Sequence, residues 1–478
     1  MVWNILRLLY KKAIHIKNAR TAHTKFISGV ITVNNQYYNS NLGELLKIAK
    51  EKYTIDKDLY NNFRVKRGLR NSDGTGVLAG LTAIGEVRGY VVDDGERSPI
   101  EGKLLYRGID VCDIIKNAAA EDRFAYEEVV FLLLFGVLPS KKMLDSFCEL
   151  LGSMRDLPPG FTEDTILKSP SANIMNKMAR SVLTLYSYDD KADDISFPNL
   201  IRQSIELIAR MVTIAAYGYQ AKRRYYDKAS LYLHSPQPNL STAENFFYMT
   251  RPDSKFSKTE AEILDLLLVL QAEHGGGNNS AFVCRAVSSS GTDTYSAIAA
   301  AIGSLKGPKH GGANFKVLEM INDFKANIKH WDSDAEVGDY IRKTIRKGKL
   351  IYGMGHAVYT ISDPRAVLLK EKAKGLAEKC GCSEEFVLYD AIERLTPDIF
   401  REEKGIDKSI CANVDLYSGF VYQMLNIQPD LYTPLFAIAR IVGWCAHRIE
   451  EVTCNGKIMR PAYKGVKKKG CYIKLADR

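Results

Sequence analysis

The sequence predicts a mainly α-helical protein with a small amount of β-structure. After Leu42, apolar residues recur three and four positions apart through most of the chain, for example in residues 201–217 and 261–272. Short Val, Ile and Tyr stretches broken by Gly, Asp and Pro occur mainly in residues 77–107, and these are typical of strands. We therefore expect a helical fold with minor β-structure near 77–107.

The apolar runs indicate how the helices are used. Residues 129–138 (VVFLLLFGVL) are followed by Pro139 and predict a buried helix. This run is about half the ~20 residues that a membrane span requires, which excludes an integral membrane protein. Residues 296–305 (SAIAAAIGSL) are small and suit close contact between helices. Polar, turn-rich breaks lie near 153–171, 187–198, 234–241 and 453–471.

The composition is that of an ordinary globular protein of two or three domains. The chain has 478 residues, of which 26% are charged and 46% hydrophobic. Its net charge of +10 is concentrated at the ends, since residues 1–43 carry +6 and residues 457–478 carry +7, leaving −3 for the body between them. A nucleic-acid groove formed by the fold would place the excess in the body, so no nucleic-acid partner is expected.

Cysteine usage and the N-terminus bear on location. The nine cysteines are scattered and include no CxxC pair, which predicts a reduced, intracellular protein without a zinc site. Residues 1–26 are basic, free of acids and faintly amphipathic, as in a mitochondrial transit peptide. The alternative is a variable extension, or upstream sequence translated from an early start. We expect a cytoplasmic protein, or a mitochondrial-matrix protein if residues 1–26 are a transit peptide.

Three of the eight histidines lie in Gly-rich turns late in the chain. They are His274 in EHGGGNNS, His310 in GPKHGGAN and His356 in GMGHAV. Neighbouring glycines remove side chains beside an imidazole, so that backbone and ligand approach closely. A single histidine is more often structural, but three with the same surroundings indicate a functional cluster.

Charged residues in apolar surroundings add to this cluster. Asp415 lies between Val414 and Leu416, and burial there would raise its pKa towards the range useful for a general base. Arg440 lies within the apolar stretch AIARIVGW and needs a partner, because an unpaired buried charge is costly. That partner is either a carboxylate of the protein, Glu450 or Glu451, or a carboxylate of a substrate. Arg460 poses the same question.

Several separated motifs resemble those of the citrate synthase family, in particular its bacterial type. In the family's order they are LLYRGIDV within residues 68–115, then EHGGGNNS, GPKHGGAN, GMGHAVYTISDPR, NVDLYSG, ARIVGW and RP. One tetrapeptide would be weak support, but all of them in order and at family-like spacings are very specific. The resemblance covers roughly residues 43–478.

The resemblance implies a two-domain helical fold with the active site in the cleft between a large and a small domain. It implies that residues 43–310 form the first part of the large domain and residues 311–420 the small domain. Residues 421–478 return to the large domain and end in a C-terminal arm, and residues 1–42 are a basic, poorly ordered extension. A homodimer with active sites shared between subunits is also implied.

The resemblance further implies a role for individual residues. His310 corresponds to the acid that protonates the acetyl-CoA carbonyl, Asp415 to the base that removes the methyl proton, and His356 to the group that polarises the ketone of oxaloacetate. The positions that bind the carboxylates of oxaloacetate and citrate correspond to His274, Arg365, Arg440 and, from the neighbouring subunit, Arg460. Arginine suits this task because its planar fork matches a carboxylate.

Two departures from the family pattern affect these assignments. Many members have Glu after the first histidine, where this chain has Gly275. Many also have Arg or Lys, which pairs with a CoA phosphate, where this chain has Thr360. Lys347, Lys349 or Lys309 could supply that charge instead. The expected CoA-binding residues are Lys309, Lys349, Gly353, Gly355 and Ala357.

The function implied is condensation of acetyl-CoA with oxaloacetate and hydrolysis of citryl-CoA, the entry step of the tricarboxylic acid cycle. No cofactor or metal is expected, because acetyl-CoA is a substrate and an acid and a base tuned apart by their surroundings meet the chemical need. A 2-methylcitrate synthase that uses propionyl-CoA is the nearest alternative, since the acyl groups differ by one methylene. The others are a citryl-CoA lyase and a non-catalytic CoA-binding protein.

Overall fold

The computed structural model describes residues 42–43, 45–71, 74–93, 96–405, 409–454 and 456–478. The chain divides into two compact units, Met1–Val77 and Leu78–Arg478. Most of the expected N-terminal extension, residues 1–41, lies outside the described residues, and the division into large and small domains stays a prediction.

Helices dominate the described residues. In the first unit, residues 42–43 and 45–52 form α1, and Lys57–Asn62 form α2. In the second unit the helices are α3 (Val111–Ala120), α4 (Tyr126–Phe135), α5 (Lys141–Ser153), α6 (Ile174–Leu185), α7 (Phe197–Tyr225), α8 (Thr242–Thr250), α9 (Lys258–Gln271), α10 (Asn279–Ser288), α11 (Thr294–Leu305), α12 (Ala313–Asn327), α13 (Asp334–Arg346), α14 (Pro364–Cys380), α15 (Ser383–Lys404), α16 (Val414–Met424) and α17 (Tyr432–Cys454). The mainly helical fold class is confirmed.

The β-structure is one small antiparallel sheet in the order β1-β2-β3. β1 (Gly85–Asp93) pairs with β2 (Glu96–Tyr106), and β2 pairs with the short β3 (Ile109–Asp110). The register of β1 against β2 shifts between Arg88 and Tyr90, where residues 100–102 of β2 bulge opposite the single residue Gly89 of β1. The predicted strand region, 77–107, is therefore confirmed as a hairpin with a bulge.

The core of the second unit is built around α17. This helix is buried along most of its length and packs against α7, α9, α10 and α11. Its neighbours include two of the helices predicted from apolar periodicity, α7 and α9, and the small-residue helix α11. Serine caps start α8 and α9 through Ser241 and Ser257, each in a reciprocal bond with a glutamate three residues later.

The buried helix predicted from residues 129–138 begins and ends three residues earlier than the apolar run. It is α4, and it ends at Phe135 because Gly136 adopts a left-handed conformation with φ of 79°. Val137 and Leu138 follow it on the surface. No helix in the described ranges combines the length and the apolar character needed to cross a membrane.

Candidate active site

His274 follows α9 in a turn that faces two other aromatic rings. Its imidazole lies edge-on to His356, with ring centroids 5.1 Å apart, and to Tyr359, at 5.8 Å. Nε2 of His274 is buried and has no hydrogen-bond partner in the described part of the chain. Burial, and then the positive charge of Arg365, hold the pKa of His274 well below 6.5, so the ring is neutral.

His356 is fixed by the backbone that follows it. Its Nδ1 atom accepts hydrogen bonds from the N–H groups of Val358 and Tyr359, over 3.1 and 3.0 Å. The ring of Tyr359 stacks on the imidazole, with centroids 4.6 Å apart and 24° between the planes. Because Nδ1 is an acceptor, the proton of the neutral ring lies on Nε2, which acts as the donor.

One asparagine joins the turn of His356 to the helix that carries Asp415. Oδ1 of Asn413 accepts from the N–H of Asp415 over 3.0 Å and caps α16, while Nδ2 donates to the carbonyl of Gly355 over 2.9 Å. The N–H of Gly355 in turn donates to the carbonyl of Cys411 over 2.7 Å. These bonds bring together residues that lie almost sixty positions apart in the chain.

Asp415 has the electrostatics that its apolar neighbours led us to expect. It lies in the first turn of α16, and burial raises the pKa of its carboxyl from 3.8 to about 6. The positive charges of Arg365 and Arg440 oppose this rise but do not cancel it. The carboxylate is thus more basic than an ordinary aspartate and is still mostly ionised at neutral pH.

His310 lies in the turn between α11 and α12 and contacts a buried serine. Its Nε2 atom is 3.1 Å from Oγ of Ser280, which also accepts from the indole N–H of Trp444 over 3.0 Å. Burial, and then the charge of Arg440, lower the pKa of His310 from 6.5 to about 4, so this imidazole is also neutral. A hydroxyl that donates to Nε2 would leave Nδ1 as the protonated nitrogen.

Arg440 is buried, and only part of its guanidinium group forms hydrogen bonds within the described residues. Nε donates to the carbonyl of Gln271 over 2.6 Å, but Nη1 and Nη2 are buried without a hydrogen-bond partner in the described ranges. Burial lowers the pKa of Arg440 to about 10, and the charge of Glu273 opposes this shift. Since unpaired buried donors are costly, the two terminal nitrogens indicate a site for an anionic ligand.

Arg365 differs from Arg440 because it already has a carboxylate partner. Its Nε and Nη2 atoms donate to Asp363 over 3.0 and 2.7 Å, and both side chains are buried. Asp363 also caps α14 by accepting from the N–H of Arg365 over 3.1 Å. The charge of this arginine acts on His274 and Asp415, which places it in the same cluster.

A buried network of ionisable side chains includes Glu273, the residue before His274. Nε2 of His447 is 2.9 Å from Oε1 of Glu273, and Nδ1 of His447 is 3.0 Å from Nη1 of Arg285. Because an arginine only donates, Nδ1 of His447 accepts and Nε2–H donates to Glu273. Arg285 also pairs with Glu450 and Glu451, over 2.6 and 2.9 Å.

The predicted protein partners of Arg440 are therefore wrong. Glu450 and Glu451 lie on α17 with Arg440, but they are ten or more residues along the helix, and both bind Arg285 of α10 instead. The negative charge that most opposes the lowered pKa of Arg440 is that of Glu273.

Other predicted residues lie apart from this cluster or at its edge. Gly353 and Gly355 form the turn before His356, and their carbonyls accept from the backbone and side chain of Asn413. Three further candidates are exposed: Lys309, Lys349 and Ala357. Arg460 is exposed on the segment that follows α17. These observations do not test the expected roles of the five residues in CoA binding or of Arg460 in the partner's site.

The sequence reasoning missed several residues that support the cluster. Asp363 and Asn413 carried a detectable signal, because each occupies the position that caps the following helix. The others are Ser280, Glu273 and His447, whose partners lie far away in the chain, and Tyr359, which stacks on nearby His356 and bonds distant Lys103.

Taken together, three histidines, two arginines and one aspartate form a cluster in which the arginines are buried and the other four residues are partly buried. Two imidazoles and an arginine fork present donors, while Asp415 is a base with a raised pKa. Such a site is able to bind a small polycarboxylate and to move a proton to and from carbon. Among the described residues, no group of three or more His, Cys, Asp or Glu is arranged to hold a metal ion.

The sequence model of the family described as citrate synthase, C-terminal domain, matches residues 73–462, most of the chain. The chain belongs to the citrate synthase family. It is an enzyme of the acyltransferase type that this family represents. The resemblance inferred from the motifs is thus confirmed.

Relatives and solved structures agree with this assignment. A citrate synthase of Haloferax volcanii is 34% identical over 382 residues, which cover 78% of this chain and 93% of the relative. A 2-methylcitrate synthase of Shewanella oneidensis is 30% identical, covering 76% of this chain and 89% of the relative. Thermoplasma acidophilum citrate synthase, solved with carboxymethyl coenzyme A and oxaloacetate, superposes with a TM-score of 0.71 at 25% identity, covering 87% of this chain and 99% of that one.

Proposed function

We propose that this citrate synthase family member condenses acetyl-CoA with oxaloacetate and hydrolyses the resulting citryl-CoA to citrate and CoA. The observation that carries the proposal is the unused fork of Arg440 in a buried site that also holds Asp415 with a raised pKa. An anion-binding fork beside a general base suits a dianionic acceptor and a carbon acid. The limited exposure of this site to water strengthens its electrostatic interactions.

Oxaloacetate would bind through its two carboxylates. One carboxylate would accept from Nη1 and Nη2 of Arg440, which have no other partner in the described residues. The other would lie at Arg365, whose remaining nitrogen is not used by Asp363. The buried Nε2 of His274 would bond the same ligand, and its low pKa keeps this ring from adding a further charge.

The first chemical step would be proton transfer from the acetyl methyl group. Asp415 would take this proton, and the electron pair of the broken C–H bond would form the C=C bond of the enol. The thioester carbonyl oxygen would gain the electron pair of its π bond and the N–H proton of His310, and His310 would recover that proton when the enol attacks and the C=O bond reforms. A neutral imidazole is suited to this role, because its N–H group is available as a donor while the ring carries no extra proton. The pKa of about 4 for His310 supports such a neutral donor.

Carbon–carbon bond formation would follow at the ketone. The enol carbon would attack the carbonyl carbon of oxaloacetate, and the ketone oxygen would gain the electron pair of its broken π bond. Nε2–H of His356 would donate to that oxygen, since Nδ1 is already occupied by two backbone N–H groups. Water would then cleave the thioester of citryl-CoA and release CoA as a thiol.

Activity must be measured with acetyl-CoA and with propionyl-CoA to decide which acyl donor the enzyme prefers. Relatives named citrate synthase are 34% identical and those named 2-methylcitrate synthase 30%, a difference too small to decide. We expect oxaloacetate-dependent thiol release with acetyl-CoA to exceed that with propionyl-CoA in kcat/KM. Propionyl-CoA as the better donor would replace the proposal by a 2-methylcitrate synthase, and no thiol release with either would overturn the synthase function.

The matched background for this assay is the Asp415→Asn variant. The chain has nine free cysteines, of which Cys380, Cys454 and Cys471 are exposed and would react with a thiol reagent. The variant carries the same cysteines but lacks the proposed base, so its signal measures the contribution of the protein itself.

We further propose a homodimer in which Arg460 reaches the active site of the partner subunit. The support is that Arg460 is exposed on the segment that follows α17, so its guanidinium is accessible to a second chain. A cytoplasmic location and a role at the entry of the tricarboxylic acid cycle stay predictions.

A further inference from the structure

The bulge of the β1–β2 hairpin contacts the chain segment that carries His356 and Arg365. Gly89 lies at the bulge, where Arg88 pairs with Lys103 and Tyr90 already pairs with Pro99. The opposite strand places residues 100–102, ending in Gly102, across from this one glycine. A bulge bends a strand locally and interrupts the regular ladder of hydrogen bonds between the strands. The surface of the hairpin is therefore irregular at this position.

Both glycines approach the backbone of the segment too closely for any side chain. A Cβ atom on Gly89 would lie 2.6 Å from the carbonyl oxygen of Val358. A Cβ on Gly102 would overlap the carbonyl oxygen of Ser362, and it would lie 2.7 Å from Cδ1 of Tyr359. Real Cβ atoms almost never come within 3.0 Å of such atoms, so the segment would have to move.

Hydrogen bonds hold the two parts together at the same place. The N–H of Gly102 donates to Oγ of Ser362 over 3.2 Å, across 260 positions of sequence. The hydroxyl of Ser362 donates to the carboxylate of Glu101. The hydroxyl of Tyr359 donates to the carbonyl of Lys103 over 3.2 Å.

The same segment determines where two functional groups lie. The N–H groups of Val358 and Tyr359 bind Nδ1 of His356, and the ring of Tyr359 stacks on its imidazole. Asp363, directly after Ser362, binds Arg365 at the start of α14. A displacement of residues 358–363 would therefore be passed to an imidazole and a guanidinium together.

We propose that Gly89 and Gly102, together with Ser362 and the hydroxyl of Tyr359, are positioning residues that hold His356 and Arg365 in register with His274 and Arg440. The hairpin acts through close backbone contact and touches no substrate itself. This inference rests on the proposed function, because it concerns how the ketone-polarising and carboxylate-binding groups are aligned. A shift of about 1 Å in such groups can reduce turnover by about a hundredfold.

The experiment compares Gly102→Ala with Gly80→Ala in the full-length protein. At Gly80 an added methyl group would have no neighbouring atom within 4 Å, and φ is ordinary, so this position controls for the glycine-to-alanine change itself. Turnover is measured as oxaloacetate-dependent thiol release, and oxaloacetate affinity by isothermal titration calorimetry without acyl-CoA. Circular-dichroism melting reports whether each variant remains folded.

We expect Gly102→Ala to lower kcat and to weaken oxaloacetate binding, with a combined loss in kcat/KM of about ten- to a hundredfold. Gly80→Ala should match wild type. Ser362→Ala removes two hydrogen bonds and Tyr359→Phe removes one. Both variants should remain folded and should lower kcat/KM about three- to tenfold. These two variants decide the question if Gly102→Ala does not fold.

The outcomes separate this inference from the proposed function. The positioning role alone would be overturned by one result. In that result the wild-type protein is active, and Gly102→Ala, Ser362→Ala and Tyr359→Phe have the same kcat/KM and oxaloacetate affinity as wild type. Absence of thiol release in wild type overturns the synthase function, and the calorimetric comparison of the same variants then still tests the alignment of the anion site. A wild-type protein that neither turns over nor binds oxaloacetate would overturn both.

Discussion

Arg365 donates from Nε and Nη2 to the two carboxylate oxygens of Asp363, over 3.0 and 2.7 Å, in a pair that is almost completely buried. The second arginine of the cluster, Arg440, has no such partner, and its terminal nitrogens are unpaired within the described residues. One arginine is thus held in place by the protein, whereas the other is left for a ligand. The site therefore contains one arginine whose position is fixed by a carboxylate of the protein and one whose terminal nitrogens can bind a ligand.

The Arg365–Asp363 pair predicts an asymmetric effect on stability. Asp363→Asn should lower the free energy of unfolding by about 3–5 kcal/mol, because it leaves a buried guanidinium without its counter-charge. The double variant Asp363→Asn, Arg365→Met should lose less than the single variant, since the orphaned charge is also removed. Denaturant unfolding measures both. A double variant less stable than Asp363→Asn would contradict this account.

Asp415→Asn should abolish condensation and leave the helical fold intact. Loss of a general base costs about 100- to 10,000-fold in rate, and the amide retains the shape of the carboxyl group. Thiol release and far-ultraviolet circular dichroism measure the two effects. A variant that keeps more than a tenth of the wild-type turnover would remove Asp415 from the role of base.

The same variant should be more stable than wild type at high pH. The folded-state pKa of Asp415 is about 6 against the ordinary 3.8, so the ionised carboxylate destabilises the folded state above pH 6. This cost is roughly 2–3 kcal/mol at pH 8 and is relieved as the pH falls through 6, where the folded protein takes up the proton. Unfolding of both proteins at pH 8 and pH 5 tests the sign, and an advantage that grows towards pH 5 would refute it.

Ser280→Ala tests which nitrogen of His310 carries the proton. Oγ of Ser280 accepts from Trp444, donates to Oδ1 of Asn278 over 2.9 Å, and lies 3.1 Å from Nε2 of His310, where the donor depends on the tautomer of the imidazole. If the hydroxyl sets the tautomer, its loss should lower kcat about ten- to a hundredfold with little change in the KM for oxaloacetate, because His310 acts on the enol rather than on the dianion.

The matched control for this substitution is Ser304→Ala. The hydroxyl of Ser304 donates to the side chain of Asn279 over 2.6 Å, near the same turn, whereas the hydroxyl of Ser280 lies against Nε2 of His310. Its turnover should equal that of wild type. An equal loss of kcat in both variants would mean that Ser280 supports packing of the turn and does not set the tautomer.

The sequence predicted the local features of this protein better than its long-range ones. The Gly-rich histidine turns and the apolar flanks of Asp415 are contiguous, and the apolar periods of α7 and α9 repeat within a single helix. Of the two alternatives for the partner of Arg440, the protein carboxylates Glu450 and Glu451 were wrong, because these acids bind Arg285.

Long-range contacts left no pattern that one sequence could reveal. Glu273 and His447 are 174 residues apart, and Gly102 and Ser362 are 260 apart. A buried glutamate or a glycine in a strand looks the same in sequence whether it supports an active site or only fills a turn. Their partners were set by the packing of α17 and by the bulge of the hairpin, which depend on the whole fold.

Arg460 gives the prediction that tests the proposed shared site. If this arginine binds a carboxylate in the partner's site, Arg460→Ala homodimers should bind oxaloacetate about ten- to a hundredfold more weakly, the cost of losing one charge-assisted contact. Mixed dimers with Asp415→Asn subunits should then recover activity. One of their two sites would receive both lesions and the other neither, so the activity should approach half that of wild type per heterodimer. Subunit exchange is checked by mass spectrometry of differently tagged chains. Exchange without any recovery of thiol release would mean that Arg460 acts within its own chain, and the shared-site proposal would be wrong.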